Sequence, residues 1–593
     1  MHTRLLTLMV VLALVLAACT GAGESSSGAG EDGSAEAAAP AGSEGEQVAA
    51  DQQFERSETL YTSGTQWGPP ANWNPFMDWA YATGTAGLVY ETLFVYDPLA
   101  DEYTPRLAEA GDWTSDKVYE AAIREGVTWT DGEELTADDV VFSFELSREA
   151  AVPQAPLWDA LDSVEADGST VRFTFSEPLY QEWANYLYNY PIVPEHIWAD
   201  YDAEAVASGA NEQPVGSGPY MYDGHSESRM VWVRNDDWWG TRAMGMEMAP
   251  RRIVDIVNSD NNTALGLVLQ GQLDLSNNFL PGIASLVGGV GGYTVKTFYP
   301  QEPYMIAANT AWLVTNNTRA PLDDPEFRKA LANSINIDQI VERVYGNIVT
   351  KANPTGLLPI WDEYIDQDVV DELGFSYDTA RAEQLLADAG YEDADGDGLV
   401  ETPDGEKIEL TIQVPNGWTD WMEAIRVIAD SAKQAGINIV TDFPDYNAMV
   451  DGRNSGNFDL LIVNEEQISN TPWIYYDWMY QEPIQDTMTS GNYGRYDNAE
   501  AFDLVVDLDR TPVDDRDEMR RIISEMQRIH LTDMPVIPLW YNGLWSQYSD
   551  QVWSGWPEAG TDNEALPATW RGYFQMSGIE MLANLEPTPA EEG

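Results

Sequence analysis

The chain has 593 residues, of which 44% are hydrophobic, and its 99 acidic and 30 basic residues give a formal net charge of −69. A surface of that sign excludes nucleic acid as a ligand, because phosphate binding requires cationic groups that displace counterions. We interpret the negative charge as an adaptation to saline surroundings or to solubility, since like charges repel one another unless salt screens them.

The first 19 residues have the organisation of an export signal. Arg4 precedes an apolar run over 5–16, which is shorter than the ~20 residues that cross a bilayer. The run ends in Leu-Ala-Ala-Cys, a spacing that resembles a bacterial lipobox, so Cys19 is predicted to carry a lipid. The alternative is an ordinary cleaved signal with an incidental cysteine. Because Cys19 is the only cysteine, we expect neither disulfides nor thiolate metal sites.

Residues 20–56 form a segment of Gly, Ser, Ala and Glu with few large apolar side chains. Such a segment cannot bury enough apolar surface to offset the entropy that it loses on ordering. We therefore predict a flexible, acidic linker between the lipid and the folded part of the chain.

The first half of the folded part is rich in predicted strands. Thr136, with Asp139 three residues later, forms a capping pair that predicts a helix through Glu149. Strands are predicted over 58–63, on both sides of an Asp-Gly turn within 118–175, and in a strand–helix–strand unit over 252–275.

The second half alternates helices with strands, which predicts a wound α/β domain. Asp324 and Pro325 supply an N-cap and a proline at the first helical position. The apolar run over 458–464 predicts a buried parallel strand. Further helices are predicted over 379–391, 420–436 and 516–530, and further strands over 407–414, 437–443 and 534–545.

Motifs for catalysis are absent from the sequence, since it contains no Walker-type loop, no His-Glu-x-x-His pair and no nucleophile elbow. One stretch, however, has the spacing of an EF-hand-type calcium loop. Its predicted ligands are Asp393, Asp395, Asp397, the carbonyl of Leu399, Glu401 and Asp404, the last of which is an Asp where a Glu is usual. The alternative is an acidic turn between a helix and a strand. A structural calcium ion is the only cofactor that we consider, and none is required.

Several stretches, taken in order, resemble the family 5 solute-binding proteins of ABC importers, the dipeptide, oligopeptide and nickel type. They include "NPFMDWAYATGTAGLVYETLFVYDP", "IREGVTWTDGEELTADDVVFSFE", "PVGSGPYMYD" and "DDPEFRKALANSINIDQIVERVYG". The resemblance implies an α/β, two-lobed periplasmic-binding-protein fold (class II, cluster C type) with an additional β-rich subdomain in lobe I. The implied boundaries are 57–94, 214–304 and 541–593 for lobe I, 95–213 for the β-rich subdomain, and 305–540 for lobe II.

The resemblance also implies a role. Such a receptor works outside the cytoplasm, as a monomer, and closes its lobes on a small solute by a hinge motion. It then delivers the solute to the permease subunits and ATPase of an ABC importer. No reaction is expected, and the lipid on Cys19 is the only expected membrane contact.

The solute is predicted to be an oligosaccharide. Peptide-binding members carry an acidic residue before a proline that anchors the peptide amine, whereas Thr471 precedes Pro472 here. Glu465, Glu466 or Asp477 are the candidates to replace that acid, so an oligopeptide stays the main alternative. The strip over 63–81, in which Asp78 is the single charged residue, instead resembles the branch of the family that binds cellobiose and other β-linked oligosaccharides. A secreted glycoside hydrolase is a more distant alternative.

Sugars require flat aromatic rings against their C–H faces and amides for their hydroxyl groups. Residues of those types fall where the loops of the cleft are expected, although any single tryptophan could instead pack in the core. The predicted ligand-binding residues are Trp67, Trp73, Tyr304, Asn309, Trp418, Asn464, Trp473, Trp540, Tyr541 and Asn542. Trp67 is the first choice, because Gln66 and Gly68 flank it on a loop. Trp79, Trp113, Trp129 and Trp238 are predicted to be structural.

Overall fold

The structure is a computed structural model. It describes residues 53–64, 66, 68–70, 72–77, 82–209, 211–258, 260–289, 294–567 and 578–589. The predicted lipid attachment at Cys19, the predicted linker up to residue 52, Trp67 and Trp79 therefore lie outside the described residues.

The described part of the chain contains strands and helices throughout. The strands are β1 (Thr59–Ser63), β2 (Phe94–Asp97), β3 (Glu102–Pro105), β4 (Ala108–Ser115), β5 (Val118–Ile123), β6 (Leu161–Asp167), β7 (Thr170–Phe175), β8 (Tyr220–Ser226), β9 (Arg229–Arg234), β10 (Arg252–Ile256), β11 (Leu275–Ser276), β12 (Val295–Thr297), β13 (Ala307–Thr315), β14 (Thr350–Lys351), β15 (Leu410–Gln413), β16 (Ile439–Asp442), β17 (Leu460–Val463), β18 (Val536–Gly543), β19 (Gln547–Ser549), β20 (Trp553–Ser554) and β21 (Glu586–Pro587). The helices are α1 (Ala137–Glu149), α2 (Tyr180–Asn189), α3 (Glu195–Trp198), α4 (Ala203–Ser208), α5 (Trp239–Ala243), α6 (Asn261–Leu269), α7 (Pro325–Ser334), α8 (Ile337–Arg343), α9 (Gln367–Leu373), α10 (Thr379–Asp388), α11 (Thr419–Gln434), α12 (Tyr446–Ser455), α13 (Trp473–Tyr480), α14 (Ala499–Asp509), α15 (Arg516–Asp533) and α16 (Gly578–Asn584).

Lobe I is built on a seven-stranded mixed sheet in the order β12-β19-β11-β1-β10-β9-β8. At its centre, β1 is parallel to both β10 and β11, and Ser63 at the end of β1 lies level with Ile256 and Ser276. The carboxyl ends of these three strands therefore share one edge of the sheet, the usual place for a ligand in an α/β sheet.

The β-rich subdomain contains the antiparallel sheet β4-β5-β7-β6 and helix α1. Both predictions made for this region are confirmed. Thr136 and Asp139 form a reciprocal capping box at the start of α1, and β6 and β7 form a hairpin whose two-residue connection includes Gly168 with a φ of 65°. Positive φ is the reason for glycine at that position.

Lobe II is built on a six-stranded sheet in the order β14-β18-β13-β17-β15-β16. The predicted strand over 458–464 forms β17, which is buried and parallel to β15 but antiparallel to β13. Strand β18 continues to Gly543, three residues beyond the boundary that the resemblance implies. Ala311 and Leu313 of β13 belong to one hydrophobic core, and Trp312 and Val314 belong to another. The sheet thus separates two cores, as the alternation of strand side chains requires.

The chain crosses between the two sheets after β12 and again after β18. The two crossings are bonded to each other, since the amide of Leu544 donates to the carbonyl of Ile306 at 2.7 Å. The structure is thus a two-lobed α/β fold, as predicted. Among the described residues, every helix is too short or too polar to traverse a lipid bilayer.

Two predictions about local structure are wrong. The segment after Pro472 is helix α13 rather than a cleft loop, because its side chains are apolar and buried on nearly every face. The strand predicted over 534–545 is confirmed as β18, so the expected loop position of Trp540, Tyr541 and Asn542 is wrong. By contrast, Trp129 and Trp238 are buried in the core of lobe I, and Trp113 packs against that core, as predicted.

Candidate ligand-binding site

Polar side chains occupy the carboxyl edge of the lobe I sheet. The hydroxyl of Ser63, at the end of β1, donates to Asn278 Oδ1 at 3.2 Å, and Asn258 Nδ2, just after β10, donates to Ser63 Oγ at 3.3 Å. All three residues are buried. Amides and a hydroxyl therefore meet where the three parallel strands end.

The strip over 63–81 begins at this edge, at Ser63. The carbonyl of Gln66 accepts from the amide of Asn258 at 3.0 Å, and the side-chain amide of Gln66 donates to Gly68 at 2.7 Å. The backbone amide of Thr83, two residues after the strip, donates to Gln66 Oε1 at 3.0 Å. Gln66, which precedes Trp67, therefore lies beside the lobe I amides, and the role of Trp67 itself stays a prediction.

Lobe II carries a second set of amides at its facing strand ends. Asn464 follows β17 and donates from Nδ2 to Asn309 Oδ1 at 3.2 Å, and Asn309 Nδ2 donates to Gln467 Oε1 at 3.1 Å. Asn542 lies directly opposite Asn309 in the β13–β18 ladder. Three of the sequence-predicted ligand residues, Asn309, Asn464 and Asn542, are thus brought together.

Two of these amides have unused hydrogen-bonding capacity. Asn278 in lobe I and Asn542 in lobe II are each 1% exposed. Neither Asn278 Nδ2 nor Asn542 Oδ1 has a hydrogen-bond partner among the described residues. Because a buried polar atom without a partner is costly, a ligand hydroxyl or a water molecule at these atoms would be stabilising.

Aromatic rings join the two lobes at the crossing after β18. Trp545 lies 5.2 Å from the ring of Phe279 in lobe I and 6.4 Å from that of Tyr345 in lobe II, measured between centroids. Trp540 lies 5.4 Å from Tyr345. The hydroxyl of Tyr345 donates to Asp420 at 3.1 Å, and burial raises the pKa of that carboxyl to about 6.

A more exposed aromatic cluster follows the neighbouring parallel strands β15 and β16. Trp418 lies 4.9 Å from Trp421 and 5.9 Å from Tyr446, again between ring centroids. Tyr446 is 51% exposed, which is high for an aromatic side chain that already contacts another ring. Sequence reasoning missed Tyr446, although it follows its strand at almost the same distance as Trp418 follows the adjacent one.

The acidic residue next to Asn464 is neutralised by its neighbours. The guanidinium of Arg453, on α12, forms an ion pair with Glu465 Oε1. The hydroxyl of Tyr493 donates to Glu465 Oε2 at 2.5 Å, and the Arg453 guanidinium lies 4.1 Å from the centroid of the Tyr493 ring. Both oxygens of the Glu465 carboxylate are therefore engaged within lobe II.

Comparison with known proteins agrees with this architecture. Residues 102–486 match the model of the bacterial extracellular solute-binding proteins, family 5 (middle region). The chain belongs to this family. The oligopeptide-binding protein AppA of Bacillus subtilis is 26% identical to this family 5 protein over 432 residues, which cover 71% of this chain and 75% of AppA.

Solved structures of family 5 proteins are also similar. A mannohexaose-bound periplasmic oligopeptide-binding protein of an ABC transporter from Thermotoga maritima is 42% identical, with a TM-score of 0.85 over 91% of this chain and 100% of that one. B. subtilis AppA in complex with a nonapeptide is 21% identical, with a TM-score of 0.72 over 90% of this chain and 99% of that one, which shows the shared fold.

The remaining predicted ligand residues of this family 5 protein do not join the amide sets. Trp73 is buried against Tyr222 and His225, with centroid distances of 4.9 and 4.8 Å. Tyr541 is held by Leu357, whose carbonyl accepts from its hydroxyl at 2.6 Å. Trp473 is buried at the start of α13, and Tyr304 lies half-buried just before β13 with a φ of 63°. Their contact with a ligand stays a prediction.

The calcium-like loop of this family 5 protein has an internal cation. The carboxylates of Asp393, Asp395 and Asp397 offer oxygens within 4.8 Å of one another. Lys407 Nζ lies 2.6 Å from Asp395 and 2.7 Å from Asp397, and its ammonium lowers the pKa of Asp397. Glu401 instead accepts from the amide of Ala394 at 2.8 Å. Calcium binding here stays a prediction.

Proposed function

We propose that this family 5 protein is a lipid-anchored receptor that captures an uncharged, β-linked, cellobiose-like oligosaccharide between its lobes. By hinge closure it would deliver the sugar to the permease subunits and ATPase of an ABC importer. Cys19 would hold the protein at the outer face of the membrane. The observation that carries this proposal is the presence of buried amide side chains at the strand ends of both lobes, where the acid next to Asn464, Glu465, has both oxygens engaged by other groups.

The chemistry of these residues suits a sugar. Each hydroxyl both donates and accepts, and an amide offers both partners in fixed geometry. Asn278 and Asn542 supply a spare donor in lobe I and a spare acceptor in lobe II, respectively. A ligand that bonded to both would favour the closed arrangement of the lobes, because it would gain those contacts only on closure.

The similar protein from T. maritima supports the proposal, because it was solved with a bound oligosaccharide. That protein carries an oligopeptide-binding name but was solved with mannohexaose, a neutral oligosaccharide, and it is 42% identical to this chain. A family 5 protein with a peptide-binding name can therefore hold a sugar. The alignment covers 100% of that protein, so the similarity includes both lobes.

An oligopeptide is the second candidate, because curated relatives such as B. subtilis AppA are named as oligopeptide-binding proteins. Of the three candidate anchor acids, Glu466 stays a candidate, whereas Glu465 and Asp477 already interact with neighbouring groups. Glu465 is engaged by Arg453 and Tyr493. Asp477, on α13, interacts electrostatically with Glu182 and Asp509.

The proposal is tested by calorimetric titration of the purified protein with cellobiose, cellotetraose, β-1,4-mannohexaose, xylobiose and mixed tri- and tetrapeptides. We expect saturable binding of at least one β-linked sugar and none of the peptides. Binding of peptides alone would reverse the assignment in favour of the second candidate. Shorter sugars appearing over many turnovers would instead indicate a glycoside hydrolase.

A further inference from the structure

Glu465 directly follows Asn464 of the lobe II amide set, and its backbone is bonded to that set. Its neighbour Asn464 contacts Asn309, and Gln467 forms an isolated β-bridge with Asn309. The side-chain amide of Gln467 also donates to the carbonyls of Asn464 and Glu465, both at 3.2 Å. The backbone of Glu465 is therefore held, through Gln467, next to the side chains proposed to bind sugar hydroxyls.

Arg453 forms an ion pair with this carboxylate and is itself almost fully buried. Its side chain is only 7% exposed, while that of Glu465 is 29% exposed. Arg453 Nε donates to Asn454 Oδ1 at 3.0 Å, and the plane of Tyr493 supports the guanidinium from one side. A buried guanidinium held in this way is not free to leave its partner, because it would lose the ion pair and gain no water.

We propose that Arg453 is a specificity-determining residue: by cancelling the charge of Glu465, it makes the lobe II half of the site selective for uncharged ligands. The inference rests on the proposed function, which it deepens. A cationic ligand, such as a free peptide amine or an amino sugar, needs a carboxylate without a competing cation. Arg453 already occupies that position.

The same arrangement explains why an acid is tolerated in a site for neutral sugars. An unpaired carboxylate would have to be desolvated against a ligand that carries no compensating charge, which is unfavourable. With Arg453 and Tyr493 engaged on its two oxygens, the Glu465 carboxylate keeps its partners when the ligand binds.

Matched sugars test the inference. Cellotetraose and the β-1,4-linked glucosamine tetramer differ only at C2, where the second carries an ammonium group. The ratio of their affinities is measured by calorimetry for the wild-type protein, for Arg453→Met and for the double variant Arg453→Met/Glu465→Gln. We expect Arg453→Met to shift the ratio toward the cationic sugar by about tenfold or more, and the double variant to return it to the wild-type value. The shift should shrink in 1 M salt, which screens charges.

Two outcomes would overturn the inference: an unchanged ratio in folded Arg453→Met, or an equal shift in the double variant, which would indicate a purely structural role. Glu465→Gln keeps the buried arginine and provides a second test if Arg453→Met does not fold. This variant should disfavour the cationic tetramer and favour a β-linked glucuronate oligomer, and no change in either affinity would also contradict the inference.

The role of Arg453 can still be tested if the proposed sugar-binding function is wrong. If the wild-type protein binds peptides and no sugar, the same variants are titrated with a tripeptide and its N-acetylated form. Arg453→Met should then shift the preference toward the free amine by a similar factor. An unchanged preference would overturn the role of Arg453 as well.

Discussion

The carboxylate of Asp509 in lobe II caps the amino end of helix α2 in the β-rich subdomain, where its Oδ1 accepts from the backbone amide of Gln181 at 3.0 Å. It also accepts from the next amide, that of Glu182, at 2.9 Å. The side chain of Gln181 reaches back to the carbonyl of Thr511 at 2.7 Å, and Arg510 forms an ion pair with Glu177. The β-rich subdomain is thus fastened to lobe II through one helix end.

This contact should make stability depend on pH. Burial raises the pKa values of Glu182 and Asp509, and repulsion from Asp477 adds to both shifts; burial also raises the pKa of Asp477 to about 6. Tyr186, Asp159 and Arg510 are the other ionisable groups that act on this pair. Acids with raised pKa values stabilise the fold fully below their unfolded values near 4, and that contribution is lost as pH rises through the folded values. Stability measured by denaturation should therefore fall between about pH 4 and pH 8.

The variant Asp509→Asn separates the contribution of the Asp509 carboxyl to this pH dependence from that of the other acids. The amide oxygen of the asparagine can still cap α2, but the side chain is uncharged at every pH. We expect Asp509→Asn to match the wild-type protein at pH 4 and to exceed it by about 1–3 kcal/mol at pH 8. Parallel pH profiles for the two proteins would show that this contact does not control the dependence.

A buried arginine on α7, Arg328, bonds to the carboxyl end of α15 and should contribute strongly to stability. The Arg328 guanidinium is 3% exposed and donates to the carbonyls of Leu322, Asp533 and Met534, at distances from 2.5 to 3.0 Å. Lysine cannot form this fork of bonds. Arg328→Lys should therefore lower the free energy of unfolding in urea by about 2–4 kcal/mol.

The control for Arg328→Lys is Arg520→Lys on the exposed face of α15. The Arg520 side chain is 41% exposed, and its ion pairs with Glu363 and Asp517 are on the surface. Exposed pairs contribute little, so this variant should change stability by less than about 1 kcal/mol. Equal losses in the two variants would contradict the role of burial.

Local sequence signals predicted much of the fold. The capping pair Thr136 and Asp139, and the Asp324-Pro325 start of α7, act within a few residues and need no tertiary information. Helix α13 was missed because it is defined by its burial in the folded protein and not by a local sequence signal. Because Trp473 through Tyr480 are buried on almost every face, their pattern lacks the polar stripe that marks a surface helix.

The candidate site was predicted from the sequence only in part. Asn464 ends the apolar run over 458–464 that predicted a strand, whereas no strand was predicted around Asn309, which lies just past the lobe boundary at 305 that the resemblance implies. The pairing of Arg453 with Glu465 depends on how α12 packs on the sheet, and the contact of Tyr446 with Trp418 depends on β15 and β16 being neighbours. Neither relationship is visible in the sequence before the strand order is known.

The exposed ring of Tyr446 should contribute to ligand affinity without contributing to the core. If the Trp418–Tyr446 pair is a platform for sugar rings, Tyr446→Ala should weaken cellotetraose binding by about 1–2 kcal/mol and leave thermal stability nearly unchanged. Tyr201, another exposed tyrosine, which contacts Trp198 in the β-rich subdomain, provides the matched control. Tyr201→Ala should not alter affinity, and a similar loss in both variants would argue against the platform.

The loop that contains Asp393, Asp395 and Asp397 should bind calcium only in competition with Lys407. Because the Lys407 ammonium lies between Asp395 and Asp397, a calcium ion at these carboxylates must displace it. We therefore expect Lys407→Met to bind calcium at least about tenfold more tightly than the wild-type protein in calorimetry, since an opposing positive charge is removed. Asp395→Asn in the Lys407→Met background should abolish that binding. Absence of calcium binding in both the wild-type protein and Lys407→Met would show that the loop is an acidic turn stabilised by its own lysine.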